Sequence, residues 1–447
     1  MTENKADKTE AVSRTGTEKR VLIFATTAYM IERFNMMNIK LLQDMGYTVD
    51  AACNFEFGNP MSSESLEHFR AELKALKVEA IQIPVNRRIY DIANNGQALI
   101  KTVGLLRKRH YSFVHCHTPV GSVVARLACR LTGTKVIYTA HGFHFFDGAP
   151  RINWLLYYPV EKLFSYMTDV LITINREDYD RAKAKFHMKH LEYVPGVGID
   201  TDKFAMSRDE SDCNIGCLSY NENDTEGSIE ANHGTEYPKE KTDLSVRVLV
   251  RRELQIADDA RMILMVGELS KRKNHISVLK AMAEIEAEHR LCICIAGTGA
   301  YRETLEKYIE EKHLQDKIKL LGYREDTLRL YQAADAFLFP SYQEGLSAAL
   351  MEAMACGLPV AASRIRGNTD LVDSDGGMLF DVGREPKHIE DESESVPHIR
   401  EALRWLSSLS DEELSLLGKH NYGKIREGFG LDKVRERLHE IYSGMQN

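Results

Sequence analysis

The stretch PSYQEGLSAALMEAMACGLPV, from Pro340 to Val360, places two glutamates eight residues apart around the start of a helix. Ser347 to Ala355 is rich in strong helix formers, Gly357 stands where a C-terminal glycine cap belongs, and Pro359 blocks continuation. The spacing predicts a short helix with firm ends, with Glu344 before it and Glu352 within it. Upstream, ADAFLFPS (Ala334 to Ser341) reads as a buried strand, so the loop carrying Glu344 and Gly345 leaves the carboxyl end of a strand. In α/β sheets that is where ligands bind. The N–H groups and positive dipole end of the helix suit a phosphate, and a carboxylate in the same turn suits a sugar hydroxyl or a developing positive charge. Phosphate and sugar together point to a nucleotide sugar.

Outward from this segment, short apolar strands alternate with amphipathic helices through both halves, the pattern of two doubly wound α/β domains. Strands are expected from Val21 to Val194 in the first half and from Met262 to Phe380 in the second, with helices after His398. Between the halves, Ser207 to Asp243 is polar and acidic with few large apolar residues, which predicts a disordered or loosely packed insert. The 447 residues, 43% of them hydrophobic, suffice for two domains. The longest apolar runs, such as VLIFATTAYMI from Val21, fall short of the ~20 residues of a membrane span, and the polar start lacks a signal-peptide core. A cytoplasmic enzyme is expected. The eight cysteines mostly occupy apolar strands or helices, as reduced core cysteines do. Cys213 and Cys217 are the one loop pair.

Charge divides unevenly. Residues 19–203 carry 24 basic and 18 acidic groups, whereas residues 204–447 carry 31 and 44. The basic groups Arg87, Arg88, Lys101, Arg107, Lys108, Arg109, Arg126 and Arg130 lie near the apolar-aromatic segment INWLLYYPVEKLF from Ile152. This is either a solvated helix face or a basic surface that docks on anionic lipid.

The Pro340–Val360 segment closely resembles the signature of the family 4 glycosyltransferases of the GT-B fold. Further matching segments run in family order: VHCHTPVGSVVARLA from Val114, YTAHGFHFF from Tyr138, VLITINREDY from Val170, VPGVGIDTDKF from Val194, VGELSKRKNH from Val266, AGTGAYRETLE from Ala296 and IRGNTDLV from Ile365. They cover roughly Arg20 to Asp381, and HTPVG, TAHGFHFF and RGNTDL are similar to the branch that builds bacterial capsule, exopolysaccharide or other envelope polysaccharides. The resemblance implies two doubly wound Rossmann-like domains facing across a cleft. We delimit an N-terminal tail at 1–18, an acceptor-side domain at 19–203, a linker with the insert at 204–245, a nucleotide-sugar domain at 246–425, and a C-terminal helix at 426–447 folding back on the first domain.

The resemblance also implies roles. His141, ending strand KVIYTA, approaches the donor sugar, and His117 with Thr118 lies on the acceptor side. His115 is expected on the opposite strand face, in the core, and His144 has no assigned part. Lys273, six residues after Gly267, neutralises the donor diphosphate together with N–H groups of Gly345, Leu346 and Ser347. The family commonly has arginine immediately after that glycine. Here Glu268 stands there, leaving Arg272 as a substitute cation. Glu352 holds the ribose hydroxyls, Glu344 the sugar, Gly297 lines the donor site, and the backbone near Tyr323 and Arg324 meets the base edge. Asp370 lies near the cleft.

Two motifs point elsewhere and are set aside. AGTGAYR lacks the third glycine of a dinucleotide fingerprint, having Arg302 in its place. IDTD holds Asp200 and Asp202 in a metal-binding spacing but leads into the linker. No cofactor, metal or nucleic acid is implied. The expected function is a retaining transfer of a hexosyl or N-acetylhexosaminyl group from UDP-sugar to a hydroxyl of a lipid-linked glycan, with peripheral contact at the inner face of the membrane. A nucleotide-sugar 2-epimerase and a non-catalytic nucleotide-sugar-binding scaffold are the alternatives.

Overall fold

The computed structural model describes residues 19–205, 245–285, 290–386, 388 and 393–445. The expectations for the 1–18 tail, the 207–243 insert and the Cys213–Cys217 pair lie outside them. The chain divides into two compact units, one comprising residues through Val194 together with those from Val434, the other Pro195 to Lys433.

In the first unit, strands β1 (Arg20–Thr27), β2 (Thr48–Asn54), β3 (Glu79–Gln82), β4 (Phe113–His117), β5 (Lys135–Ala140), β6 (Val170–Thr173) and β7 (His190–Tyr193) form one parallel sheet. Their order is β3-β2-β1-β4-β5-β6-β7. Strands covered on both faces read as unbroken apolar runs rather than alternating ones, and β1, RVLIFATT, buries all but its first residue. One face packs Val21, Ile23, Phe113 and Ile137 against Val434, Leu438 and Tyr442 of the C-terminal helix Leu431–Gly444. The other packs Leu22, Phe24, Val114 and Tyr138 against the helices Ile92–Arg109, Pro119–Thr132 and Arg151–Ser165.

The second unit repeats the plan with β8 (Arg261–Val266), β9 (Leu291–Ala296), β10 (Ile318–Gly322), β11 (Ala336–Phe339), β12 (Val360–Ser363) and β13 (Gly377–Phe380), in the order β10-β9-β8-β11-β12-β13. Chain order reverses between β1 and β4 in one sheet and between β8 and β11 in the other, which opens a crevice at the carboxyl ends of those strands. At the opposite end of the second sheet, Asp335 accepts hydrogen bonds from Arg251 (3.2 Å), Arg247 and the Met262 N–H (2.7 Å). This ties the helix Val246–Glu253 to the start of β8. The helix of the Pro340–Val360 segment runs Ala348–Ala355, with Ser347 as N-cap accepting from the Leu350 N–H. Gly357 follows it at φ +68°, the left-handed geometry that a glycine makes cheap. Among the described residues no helix is long and apolar enough to cross a membrane.

One ion pair lies deep in the first unit. Arg126 donates to Glu161 Oε2 at 2.9 Å with side-chain exposures of 1% and 7%, and the Tyr138 hydroxyl donates to Glu161 Oε1 at 3.1 Å. Removing one partner strands a buried charge, whereas replacing both with apolar groups removes the desolvation cost as well as the attraction. Glu161→Gln is therefore expected to lower unfolding stability by about 3 to 5 kcal/mol. The double variant Arg126→Met/Glu161→Leu should recover most of that loss in urea titrations.

Candidate active site

Glycines bring the loops of the second unit's crevice into backbone contact. After β8, Gly267 donates to Ala296 O at 3.0 Å, and after β9, Gly297 donates to Gly322 O at 2.7 Å. Gly297 sits at φ +149°, and a Cβ there would lie 1.9 Å from Gly267 O. Gly367, at φ +80°, stands equally close to Gly345 O, where a Cβ would approach to 2.0 Å. Gly297 is thus required by loop packing, which is the physical reason its motif imitates a dinucleotide fingerprint.

This packing presents three charged side chains to one another. The short turn Lys271–Lys273 ends at Asn274 in the left-handed conformation. Lys273 Nζ lies 2.8 Å from Glu344 Oε1, and Arg272 Nη1 lies 2.7 Å from the same oxygen. Arg272 also donates to Gln343 O, and Arg366 Nε to Glu344 O at 3.1 Å, so the glutamate loop is held from two sides. Lys273 and Glu344 are 12% and 11% exposed. One carboxylate thus faces two cations, and the Lys273–Glu344 contact, sheltered from solvent, is stronger than a pair at an open surface, whereas Arg272 is 39% exposed. Glu268, at the family's usual arginine position, is exposed.

Glu352 lies further along the helix, next to the buried Tyr331, whose hydroxyl donates to Glu352 Oε2 at 2.9 Å. Burial raises its carboxyl above the ordinary 4.5, partly offset by the Tyr331 hydrogen bond and the Lys203 charge. Leu346 packs against Gly196, leaving the loop backbone between Glu344 and Ser347. Tyr323 is 66% exposed on the loop after β10. The Arg324 guanidinium is already held, donating to both Asp326 oxygens at 2.7 Å and to Glu253 at 2.8 Å. Asp370 is partly exposed on the short helix Asn368–Leu371, and Asp200 caps Thr201–Phe204 by accepting from the Lys203 N–H.

The first unit holds a second group at its own switch point. His117 Nδ1 lies 3.0 Å from His141 Nε2. His115 contacts Thr139 Oγ1 at 2.8 Å and the Tyr442 hydroxyl at 2.9 Å. His115 is in the core, but on the same strand face as His117, not the opposite one. Residues two apart along a strand share a face, and the two rings are 4.3 Å apart. Burial lowers the pKa of all three, that of His141 to about 4 and that of His115 to about 3, so they are neutral near pH 7. Thr118 adopts φ +69° and meets Thr26 Oγ1 at 2.5 Å. His144 stacks on Tyr157 with ring centroids 4.5 Å apart.

Lys273, Arg272, Glu344, Gly345 and Gly297 therefore occupy adjoining loops of one crevice, with Ser347 and Glu352 on the helix that leaves it. His117, Thr118 and His141 form a separate group in the other unit. Sequence reasoning missed Arg366, Gly367 and Tyr331 as supports of this crevice. RGNTDL marked the segment of the first two, but no local pattern reveals that a guanidinium there grips a loop twenty-two residues earlier.

Comparison with known proteins agrees with this geometry. Residues 31–203 match the model of Glycosyltransferase Family 4, and residues 247–407 that of Glycosyl transferases group 1. EpsD of Bacillus subtilis (strain 168), a glycosyltransferase by assignment only, is 32% identical over 82% of this chain and 84% of its own. The UDP-Gal:alpha-D-GlcNAc-diphosphoundecaprenol alpha-1,3-galactosyltransferase of Escherichia coli is 24% identical over 93% of this chain and 94% of its own. Among solved structures, Anabaena Alr3699/HepE in complex with UDP superimposes with a TM-score of 0.67 at 15% identity, covering 95% of this chain and all of that one. Two parallel-sheet Rossmann-like units, one glutamate before a capped helix and a second within it, and these relatives together establish that the chain belongs to the family 4 glycosyltransferases of the GT-B fold.

Proposed function

We propose that the protein transfers a sugar, with retention of configuration, from a UDP-sugar to a hydroxyl of a lipid-linked glycan in bacterial envelope or exopolysaccharide synthesis. The observation that carries this reading is the pair of cations, Lys273 and Arg272, sharing the Glu344 carboxylate beside the N-terminus of Ala348–Ala355. Without donor, Glu344 neutralises the cations. An arriving diphosphate competes for Lys273 and Arg272 and for the N–H groups at Gly345 to Ser347, releasing the carboxylate toward a sugar hydroxyl. Arg272 thereby supplies the second cation that Glu268 cannot. Glu352 takes the ribose hydroxyls, Gly297 lines the donor site, and the backbone at Tyr323 and Arg324 takes the base edge. The leaving diphosphate, held by fixed charges, accepts the acceptor's proton, so most of the acceleration comes from positioning and preorganised electrostatics.

In the same reading His141 approaches the donor sugar and His117 and Thr118 serve the acceptor side. The named chemistry of the E. coli relative supports donor, acceptor and outcome together. Its substrate is UDP-galactose, its acceptor is linked to diphosphoundecaprenol, and its product linkage is alpha, the configuration that UDP-galactose already carries. A lipid-linked acceptor also requires peripheral contact with the inner face of the membrane.

The test is a mass-spectrometric screen of UDP-sugars against lipid-diphosphate glycans. Extension of the acceptor by one sugar supports transfer. Interconversion of the UDP-sugar without acceptor would favour a 2-epimerase, and UDP-sugar binding without turnover a scaffold.

The two glutamates should separate in mutants. Glu344→Gln is expected to cut turnover by about 10²-fold, as for loss of one preorganised contact, without weakening UDP binding, because the charge that competes with the diphosphate for Lys273 and Arg272 is gone. Parallel loss of both in calorimetry and kinetics would assign it to donor binding alone.

Glu352→Gln should weaken UDP binding by about 1 to 3 kcal/mol, yet raise the melting temperature of the unliganded protein at neutral pH. The unfolded carboxyl titrates at its ordinary value and the native one higher, so the stability it contributes is complete below the ordinary pKa and is lost as pH rises through the native value. The gain from substitution should therefore vanish below about pH 4.5. A lower melting temperature for the variant at neutral pH would reduce Glu352 to a structural brace.

A further inference from the structure

The helix Arg151–Ser165 wears its polarity inside out. Its one acidic residue, Glu161, points inward to Arg126, and Trp154, Tyr157 and Tyr158 pack on the sheet-side cluster. The outward face is apolar: Ile152, Leu155, Leu156, Val160 and Leu163, followed by Tyr166, recur at helical spacing, with Leu155 70% and Leu163 58% exposed. Burying leucines and exposing the carboxylate is the usual arrangement for a helix facing water. Here the reverse holds along more than three turns, so this face is built for something other than water.

The charge around it says what. Residues 92–146, which include the two neighbouring helices on the same side of the sheet, contain no aspartate or glutamate. Those helices expose Lys101, Arg107, Lys108 and Arg130, and the apolar helix itself opens with exposed Arg151. They also expose Ile92, Ile100 and Leu131. The nearest acid ahead of the helix, Asp147, is paired with Arg181 at 2.7 Å. Arg109 is not part of this rim, because its guanidinium is bound to Asp50 and Glu79. An apolar stripe bordered by cations and lacking acids matches a surface with anionic headgroups above an apolar layer. A second copy of the chain would set the same positive rim against itself, which like-charge repulsion opposes.

We infer that this face docks on an anionic lipid bilayer, with the helix lying in the interface plane, Leu155, Leu156 and Leu163 entering the acyl boundary, and Lys101, Arg107, Lys108, Arg130 and Arg151 meeting the headgroups. This names the surface behind the membrane contact proposed above. It stands on the first unit alone and holds or fails apart from the donor chemistry.

The experiment is cosedimentation of the full chain with vesicles of phosphatidylcholine, alone or mixed with phosphatidylglycerol, without donor or acceptor. Binding is expected only to the mixed vesicles and should weaken with salt. Leu155→Glu/Leu163→Glu should weaken it by at least about tenfold per leucine, with UDP affinity and melting temperature unchanged because both side chains already face outward. Lys101→Glu/Lys108→Glu should weaken binding to the mixed vesicles without touching those two readouts. The inference is overturned if the wild-type chain does not bind mixed vesicles or if the leucine variant binds as tightly. It is also overturned if light scattering finds a wild-type dimer that the leucine variant dissociates. Transfer to a soluble acceptor analogue, measured separately, reports on the glycosyltransferase reading whatever the vesicles do.

Discussion

The shared Glu344 carboxylate is the interaction around which the second unit's crevice is organised. Two cations from the turn after β8 reach a single oxygen on the loop after β11, seventy-two residues along the chain from Arg272. That reach depends on backbone contact between loops, since Gly297 against the Gly267 carbonyl and Gly367 against the Gly345 carbonyl have no room for a Cβ. Small residues here do not confer flexibility. They allow loops to touch, and the contact sets three charged groups within hydrogen-bonding distance before any ligand arrives. Preorganisation of this kind spares the reaction the cost of ordering those groups later.

Both units keep ionisable groups away from water in ways that stability alone would not favour. Glu352 is buried with its carboxyl raised, beside a tyrosine whose own pKa is pushed well up so that it remains a donor. His115, His117 and His141 of the first unit are held neutral by burial, and His117 Nε2 has no hydrogen-bond partner among the described residues. Perturbed groups gathered at the carboxyl ends of parallel strands mark functional positions more often than chance allows. The Arg126–Glu161 pair is a different case, because it lies under a helix rather than at a strand end and draws the only acid of that helix inward.

What the sequence by itself determined is local. The apolar strands, the capped helix after Ser347 and its stop at Gly357 and Pro359 follow from apolar runs and from residues whose conformational limits act on their neighbours. The family resemblance is of the same nature, since its motifs are contiguous strings. Lys273 and Glu344 could be named because each lies in such a string, but the salt bridge between them could not, as nothing in either segment specifies the other's position.

Tertiary structure decided the rest, because direction is set by packing. His115 shares a face with His117 and meets Tyr442, 327 residues away, only because the C-terminal helix covers that side of the sheet. Arg324, read as part of the base edge, turns its guanidinium to Asp326 and Glu253, and Arg366 turns to Glu344. The helix Arg151–Ser165 is the clearest instance. Its sequence is apolar almost all round, so periodicity cannot say which side faces the sheet. That was settled by Arg126, a buried cation on the neighbouring helix, which holds Glu161 inside and leaves the leucines outside.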